Sequence, residues 1–430
     1  MLSWRQRVRN LEAIAHDQQN LIQNQQKLIE EQRELIQDLT RRLNAYENPH
    51  TPSSKQRKKN TEHDESKPRF PGKPKGGNGG GIELPPPDKV EEHTLDVCPD
   101  CDGKLDQTSM RKRTVIDLPE KPIETVEHRI LQYYCNRCKK HVEPVTHLPD
   151  GFYGTRLQSM VIMLKNLTNS HEKIASLMRE LGAPSFSAAQ VQHIADVFIE
   201  RLQPIRNTYL GMLRNADYVN ADETGFRKDG RNGYVWGVFT RSIAIFSAQM
   251  SRARLHIEKI LPLYEGVVVS DGYNAYDDFE MHQRCWAHLL REAKEYTDND
   301  EINVQYKRLK MLYEHLKMLK AELPDERKNA AAKEQLNDIV TCLNTIQEGR
   351  KLATLITNGG DDWFTALYYK NVPLDNNHAE RELRSVVLLR KTIGCYRNQK
   401  GKGWIDVVMS VIHTWKLQGL NVFKQLCALD

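Results

Sequence analysis

Three acidic residues, far apart in the chain, stand where folding could bring carboxylates together. Asp222 lies in Tyr218-Val-Asn-Ala-Asp222-Glu-Thr-Gly-Phe226, Asp271 closes the apolar run Gly266-Val-Val-Val-Ser270, and Glu380 sits in Asp375-Asn-Asn377-His-Ala-Glu380-Arg381-Glu-Leu-Arg384. Each alone is more often a solvated surface group. Brought together they are a hard oxygen donor set, suited to a divalent cation such as magnesium and to chemistry on a metal-bound phosphodiester. From Arg381 to Lys402 there are seven Lys/Arg against one acid, set among apolar residues. A basic block of that kind suits a polyanion such as nucleic acid.

A second chemistry lies upstream. Cys98-Pro-Asp-Cys101 and Cys135-Asn-Arg-Cys138 are two C-x-x-C pairs 33 residues apart. Two knuckles, each presenting two thiolates, can close one tetrahedral zinc site, and in so small a module the metal supplies folding energy. A redox C-x-x-C would not explain the second pair, and His141 is an alternative to Cys138 as fourth ligand. Cys285, His288 and His282 recur at three-residue steps, as on a helix. A second metal site is conceivable there, but a core arrangement is the favoured reading, because free cysteine is so readily buried. Trp236, Trp286 and Trp404 also read as core.

The elements around the acids follow from periodicity. Val219 and Ala221 face one way on a strand, Asn220 and Asp222 the other. Turns at Asp229-Gly230 and Asn232-Gly233 lead to strand Tyr234–Thr240, and Arg241-Ser242 to strand Ile243–Met250, making an antiparallel meander. A helix carrying Leu255, Ile257, Ile260 and Leu261 follows, then the β-branched run before Asp271, which reads as a strand buried on both faces and parallel to a neighbour. That order is the one of a ribonuclease-H-like fold, with acids on adjacent strands 49 positions apart (222 to 271). Asn377 is expected to cap the helix bearing Glu380, which would then sit at the third position of a capping box, with Arg384 four residues on along the same face.

Upstream, Leu157–Leu167 and Ile174–Leu181 mark two helices. Gly182-Ala-Pro184 ends the second, and Ser187-Ala-Ala-Gln190 is a capping box opening a third. The arrangement is compatible with a helix-turn-helix and with an ordinary helical pair. Between the cysteine pairs, Arg113–Asp117 and Thr125–Tyr134 alternate roughly as strands. At the N-terminus Leu21, Leu28, Leu35 and Ile22, Ile29, Ile36, Leu43 keep a seven-residue beat, with Gln18, Gln25 and Gln32 at the a positions. A self-associating coiled coil is expected, giving a homodimer or higher oligomer. Residues 47–93 read as a basic Pro/Gly linker: eight Lys/Arg face three acids between Lys55 and Lys75. Its glycine run is no phosphate loop, since no Gly-Lys-Ser/Thr follows.

The 430 residues contain 39% hydrophobic and 28% charged residues, with a net charge of +5 and a mean hydropathy of −0.65. No signal peptide or membrane-length apolar run is evident, so a soluble cytoplasmic protein is expected. The expected fold class is multidomain α/β. Its parts are a coiled-coil helix (1–46), a linker (47–93), a zinc-binding β-rich module (94–150), a helical DNA-binding domain (151–215), a ribonuclease-H-like core in two parts (216–299 and 369–430) and an all-helical insertion (300–368).

Four motifs in order, Ala221-Asp222-Glu223-Thr224, Ser270-Asp271-Gly272-Tyr273-Asn274-Ala275-Tyr276, Cys285-Trp286-Ala287-His288-Leu289 and Asn376-Asn377-His378-Ala379-Glu380-Arg381, resemble the signatures of the IS66 family of bacterial insertion-sequence transposases. The zipper-like start, the C-x-x-C pairs and the basic Arg390-Lys391 segment resemble it too. The resemblance implies that Asp222, Asp271 and Glu380 form a DDE triad holding two Mg²⁺ ions, with Mn²⁺ as a substitute. The separation of the last two acids, 109 positions (271 to 380), resembles members with an insertion in the catalytic domain. Cys98, Cys101, Cys135 and Cys138 would hold one structural Zn²⁺. Cys285 and His288 are a family signature, read as structural support behind the triad. Arg381, Arg384, Arg390, Lys391 and Arg397 are expected to contact DNA, both the element's terminal repeats and its target. The expected reactions are strand cleavage at element ends and transfer of the 3′-hydroxyl to target DNA, with accessory proteins of the same element as further partners. The competing readings are a zinc-dependent DNA-binding regulator with inert acids, and a nuclease of the same fold that cleaves without joining.

Overall fold

The computed structural model describes residues 25–26, 32–33, 86–95, 104, 110, 112–137, 139–146, 148, 151–322 and 325–429. The chain divides into two units, Met1–Ile116 and Asp117–Asp430. In the first, Gln25–Gln26 and Gln32–Arg33 are helical, and 86–95 are exposed without regular structure. The rest of the heptad stripe, most of the linker and the first cysteine pair lie outside the described residues.

The second unit begins with a small hairpin. β1 (Tyr133–Cys135) pairs antiparallel with β2 (Lys140–Val142), bringing Cys135 opposite Lys140. Lys139 turns the chain with φ 53° and donates its N–H to the Cys135 carbonyl at 2.8 Å. This is a knuckle around the second C-x-x-C, of which Cys138 lies outside the described residues. The longer strands expected at 113–117 and 125–134 do not form: of those two segments only Tyr133 and Tyr134 are strand. Val115, Ile116, Val126 and Leu131 are exposed. Alternation alone makes no strand where no neighbour completes the ladder.

Three helices follow: α1 (Thr155–Asn166), α2 (His171–Glu180) and α3 (Ala188–Arg214). Gly182, at φ 117°, ends the second. The Ser187/Gln190 capping box opens the third, with the Gln190 N–H donating to Ser187 Oγ at 3.4 Å and the Ser187 N–H to Gln190 Oε1 at 2.7 Å. All three bury one stripe, with Val161, Ile174, Met178, Phe198 and Leu202, in the core that also covers one face of the sheet.

The sheet contains β3 (Tyr218–Gly225), β5 (Tyr234–Phe239), β6 (Ala244–Gln249), β7 (Val267–Ser270) and β8 (His282–Arg284), in the order β6-β5-β3-β7-β8. The first three run antiparallel as a meander; β7 is parallel to β3, and β8 to β7. The short β4 (Arg227–Lys228) pairs instead with β9 (Cys395–Tyr396). Helix α4 (Leu255–Ile260) joins β6 to β7 and closes one face with Val219, Ala221, Trp236, Val268 and Tyr276. β7 is buried throughout: Val268 faces that layer, while Val267 and Val269 face a third cluster. That cluster is built by α5 (Trp286–Lys294), α6 (Asp300–Ala321), α7 (Glu326–Thr345) and α8 (Arg350–Gly359). Then come α9 (Asn377–Ile393), α10 (Gln399–Gly403), a π-helical stretch Trp404–Met409 continuing into α11 (Ser410–Leu417), and α12 (Val422–Cys427).

The outer strand β6 has a polar cover. Asp406, Ser410 and Thr414, four residues apart, accept the N–H groups of Ala248 (2.6 Å), Phe246 (2.9 Å) and Ala244 (3.0 Å). A helix face thus replaces the missing neighbour strand and satisfies the edge donors in turn. Trp236, Trp286 and Trp404 are all buried, as core.

Candidate functional site

Asp222 and Asp271 are placed by one register. In the parallel pairing of β3 with β7, Tyr218 faces Val267, Val219 faces Val268 and Asn220 faces Val269. Carried two residues on, the same offset sets Asp222 level with Asp271 at the C-terminal ends of the parallel strands, the edge where α/β sheets gather their ligands. On the other side Asp222 faces Gly237 of β5. A Cβ at Gly237 would stand 3.0 Å from Leu383 Cδ2, so the glycine lets α9 settle on the sheet beside Asp222. Asp222 Oδ1 accepts the Glu223 N–H at 2.8 Å, and Asp271 Oδ1 accepts the Tyr273 N–H at 3.0 Å. Burial, then the charges of Glu223 and Asp271, and more weakly that of Glu380, push the Asp222 carboxyl up to about 8.

Glu380 arrives from α9. The helix is capped one residue earlier than the sequence suggests, at Asn376, and no side chain caps it. Glu380 is therefore one position beyond the place a capping box requires. Asn376 has another task. Wholly buried, it accepts from Asn220 Nδ2 at 2.8 Å, donates its own amide to the Ala221 carbonyl at 2.8 Å, and gives its backbone N–H to Cys285 Sγ at 3.0 Å. One side chain therefore ties the start of α9 to the strand of Asp222. The Glu380 carboxylate stands 3.2 Å from His288 Nε2 and 3.1 Å from an Arg291 nitrogen, both on α5.

Two groups here were not singled out from the sequence. Glu223, pointing to the face of β3 opposite Asp222, has a side chain only 1% exposed. It accepts from Arg252 Nε at 2.5 Å and from the Tyr276 hydroxyl at 2.6 Å. Burial raises its pKa against the opposing pull of the Tyr276 hydrogen bond. The Arg252 guanidinium lies 3.6 Å over the Tyr273 ring, a cation–π contact that holds it at the site. Their only sequence signal is adjacency: Glu223 follows Asp222, and both tyrosines belong to the Asp271 motif.

His282, Cys285 and His288 do not share a helix. His282 is on β8, Cys285 is the N-cap of α5, and only His288 lies within it. The three-residue step is a coincidence of strand, cap and helix. Burial pushes the Cys285 thiol up to about 12, and its sulfur accepts the Asn376 N–H at 3.0 Å within the core. Of the candidate basic residues, Arg381, Arg384, Lys391 and Arg397 are exposed. Arg390 is drawn inward, donating to the Gly225 carbonyl and to Thr224 Oγ1 at 3.3 Å; it braces β3 instead of projecting freely.

Among the described residues, no group of three or more His, Cys, Asp or Glu side chains is spaced to hold a metal ion; Glu380 is engaged by His288 and Arg291 instead. The chemistry of the acids still fits a divalent cation. All are oxygen donors, and Asp222 is held toward its protonated form by burial and then by neighbouring carboxylates, a penalty that a bound cation relieves. Cys98, Cys101 and Cys138 lie outside the described residues.

Residues 150–403 match the family model described as transposase IS66 family, and residues 96–139 match the zinc-finger binding domain of transposase IS66. Two curated relatives come from Sinorhizobium fredii (strain NBRC 101917 / NGR234). The uncharacterized protein y4jD is 20% identical over 80% of this chain and 76% of its own length. The uncharacterized protein y4hP is 22% identical over 79% and 72%.

Proposed function

We propose, for a chain that belongs to the IS66 transposase family, a DDE-type transposase that binds the terminal DNA of an insertion element, cleaves it and joins the 3′-hydroxyl ends to target DNA. The observation that carries this reading is the parallel register that sets Asp222 level with Asp271 at one sheet edge, with the helix of Glu380 tied to the Asp222 strand through Asn376. The strand order, with Asp222 on the central strand and helices on both faces, supports a ribonuclease-H-like core with a helical insertion between α5 and α9.

Asp222, Asp271 and Glu380 would hold two Mg²⁺ ions, with Mn²⁺ as a substitute. When bound, the ions activate the attacking oxygen and stabilise the leaving oxygen of a phosphodiester. The chain's own residues do the rest. Asp222, level with Asp271, sets the spacing of the donors. Asn376 and Cys285 fix the approach of α9, and with it Glu380. Arg291 would hold the Glu380 carboxylate as a counter-charge, with His288 against the same oxygen. Glu223 and Arg252 neutralise each other beside the acids, keeping a guanidinium close to where a phosphate would lie. Arg381, Arg384, Lys391 and Arg397 supply exposed phosphate contacts, which position DNA without reading its sequence.

One Zn²⁺ held by Cys98, Cys101, Cys135 and Cys138 would fold the upstream module, and the N-terminal helix would pair two copies of the chain. Accessory proteins of the same element are proposed partners, and the bacterial cytoplasm the compartment; no helix among the described residues is long and apolar enough to cross a membrane. The test is a Mg²⁺-dependent cleavage and strand-transfer assay on the element's terminal DNA, comparing wild type with Asp222→Ala. Loss of cleaved and joined products with DNA binding retained supports the proposal. Equal product from both proteins refutes it, and binding by both without cleavage, even with the accessory proteins added, favours a regulator.

A further inference from the structure

Behind the strand end that carries Asp271, side chains from three separate segments join in one line. Ser270 Oγ lies 2.9 Å from the Asp271 carbonyl oxygen and 2.8 Å from His282 Nε2, and His282 Nδ1 lies 2.9 Å from Asp362 Oδ2. Ser270 and His282 are buried. Asp362 belongs to the 3₁₀ turn Gly360–Trp363, which directly follows α8. A hydroxyl carries one proton. With the His282 proton on Nδ1 donating to Asp362, the bare Nε2 accepts from Ser270 Oγ, which also lies against the Asp271 carbonyl, so the three side chains form one continuous line to the strand end.

Ser, His and Asp in line are also the parts of a nucleophilic triad. Ser270 has no exposed surface, so no substrate can reach its oxygen, and the line must act on its own neighbours. The turn that supplies Asp362 grips β8 and α5 as well. The Trp363 carbonyl accepts from Trp286 Nε1 at 2.6 Å and from Gln283 Nε2 at 3.3 Å, and the Ala366 N–H donates to Gln283 Oε1 at 2.6 Å. Arg284, buried on β8, donates to Asp277 at 2.8 Å, has its Nε 3.9 Å from Asp362, and leaves only 3.3 Å between its tip and a Cβ built on Gly272. The backbone on both sides of Asp271 is thus held from the helical segment outward.

We propose that Asp362, acting through His282 and Ser270, is a positioning residue for Asp271, and that the α6–α8 segment serves the site by delivering it. The proposal rests on the reading of Asp271 as a metal ligand. Groups of this kind, one shell behind the ligands, change metal affinity by about 10–100-fold when lost.

The test uses the full chain with Asp362→Asn, with Asp362→Glu as the conservative rescue. Asp361→Asn is the control: it lies in the same turn and pairs with Lys333 at 2.6 Å. Amide exchange across residues 270–273 is measured without metal, Mn²⁺ binding by calorimetry, and the Mg²⁺ concentration for half-maximal cleavage kinetically. For Asp362→Asn, exchange should quicken, and Mn²⁺ affinity and the half-saturating Mg²⁺ concentration should worsen by about ten-fold. The rate at saturating metal should stay within about two-fold, since the ligand itself remains. Asp362→Glu should recover part of the loss, and Asp361→Asn should match wild type. An unchanged metal requirement in Asp362→Asn overturns the positioning role, whether or not exchange changes. A wild-type chain that binds no Mn²⁺ overturns the metal-ligand reading itself, and shows as a failure of wild type rather than of the variant.

Discussion

Asp222→Asn should make the metal-free chain more stable while abolishing its activity, and the gain should depend on pH. Burial and the charges of Glu223, Asp271 and Glu380 push this carboxyl from 3.8 up to about 8. In the unfolded chain it titrates near 3.8, so between about pH 4 and pH 8 the folded state holds a proton that the unfolded state has released. Stability from this group is therefore complete below pH 4 and falls as pH rises through 8. At about 1.36 kcal/mol per pKa unit, the accumulated cost by pH 7 is on the order of 4 kcal/mol. Asparagine keeps an acceptor for the Glu223 N–H, fills nearly the same volume and cannot ionise. The variant should match wild type near pH 4 and exceed it by a margin that grows with pH, up to roughly 5 kcal/mol at pH 8 and less where the site relaxes around the charge. The assay is urea unfolding in EDTA from pH 5 to pH 9, followed by the emission of buried tryptophans such as Trp236 and Trp286, with equal m-values required for comparison. Added Mg²⁺ should stabilise wild type, by about 2.7 kcal/mol at a hundred-fold excess over Kd, and leave Asp222→Asn unmoved. A pH-independent difference, or a variant less stable than wild type at pH 8, would refute the crowding of carboxylates on which the site depends.

Removing Asn376 should cost more than its size suggests. Asn376→Ala leaves Asn220 Nδ2 and the Ala221 carbonyl without partners, a loss of roughly 2–5 kcal/mol, and a double-mutant cycle with Asn220→Ala should show coupling well above the error of urea melts. Ser410→Ala and Thr414→Val each strand one β6 N–H and should cost about 1–3 kcal/mol apiece, with light scattering revealing edge-to-edge association in the double variant but not in wild type. Cys285, its thiol pushed up to about 12, should resist iodoacetamide in the native protein at pH 8 and react only on unfolding, as mass spectrometry of the modified peptide would show. A chelator strong enough to strip Zn²⁺ should raise proteolytic cleavage within residues 96–139 while leaving the tryptophan unfolding transition of the larger unit in place.

The residues best read from sequence alone were those whose local setting is itself a condition of their placement. Asp222 and Asp271 each end a run whose strand character is written in its apolar pattern, and one parallel register then makes them level. Glu380 was placed on the right helix but at the wrong position within it. The capping rule sees only four consecutive residues, whereas the side chain of Asn376 is spent on Asn220, 156 positions away. His282 was misread for a related reason: a strand of three residues has no periodicity to display, and only pairing with β7 fixes it. Segments 113–117 and 125–132 failed in the opposite sense, with the pattern of strands and no partner to complete them. Glu223 and Asp362 left no local mark, because a buried acid differs from a surface acid only in what the rest of the chain brings to it: Arg252 and Tyr276 for one, His282 for the other. The elements that carry Asp222, Asp271 and Glu380 are therefore legible, while the groups that surround them are not. Aiming depends on contacts between residues tens to hundreds of positions apart, and those contacts are where the variants described above should separate binding of DNA from chemistry upon it.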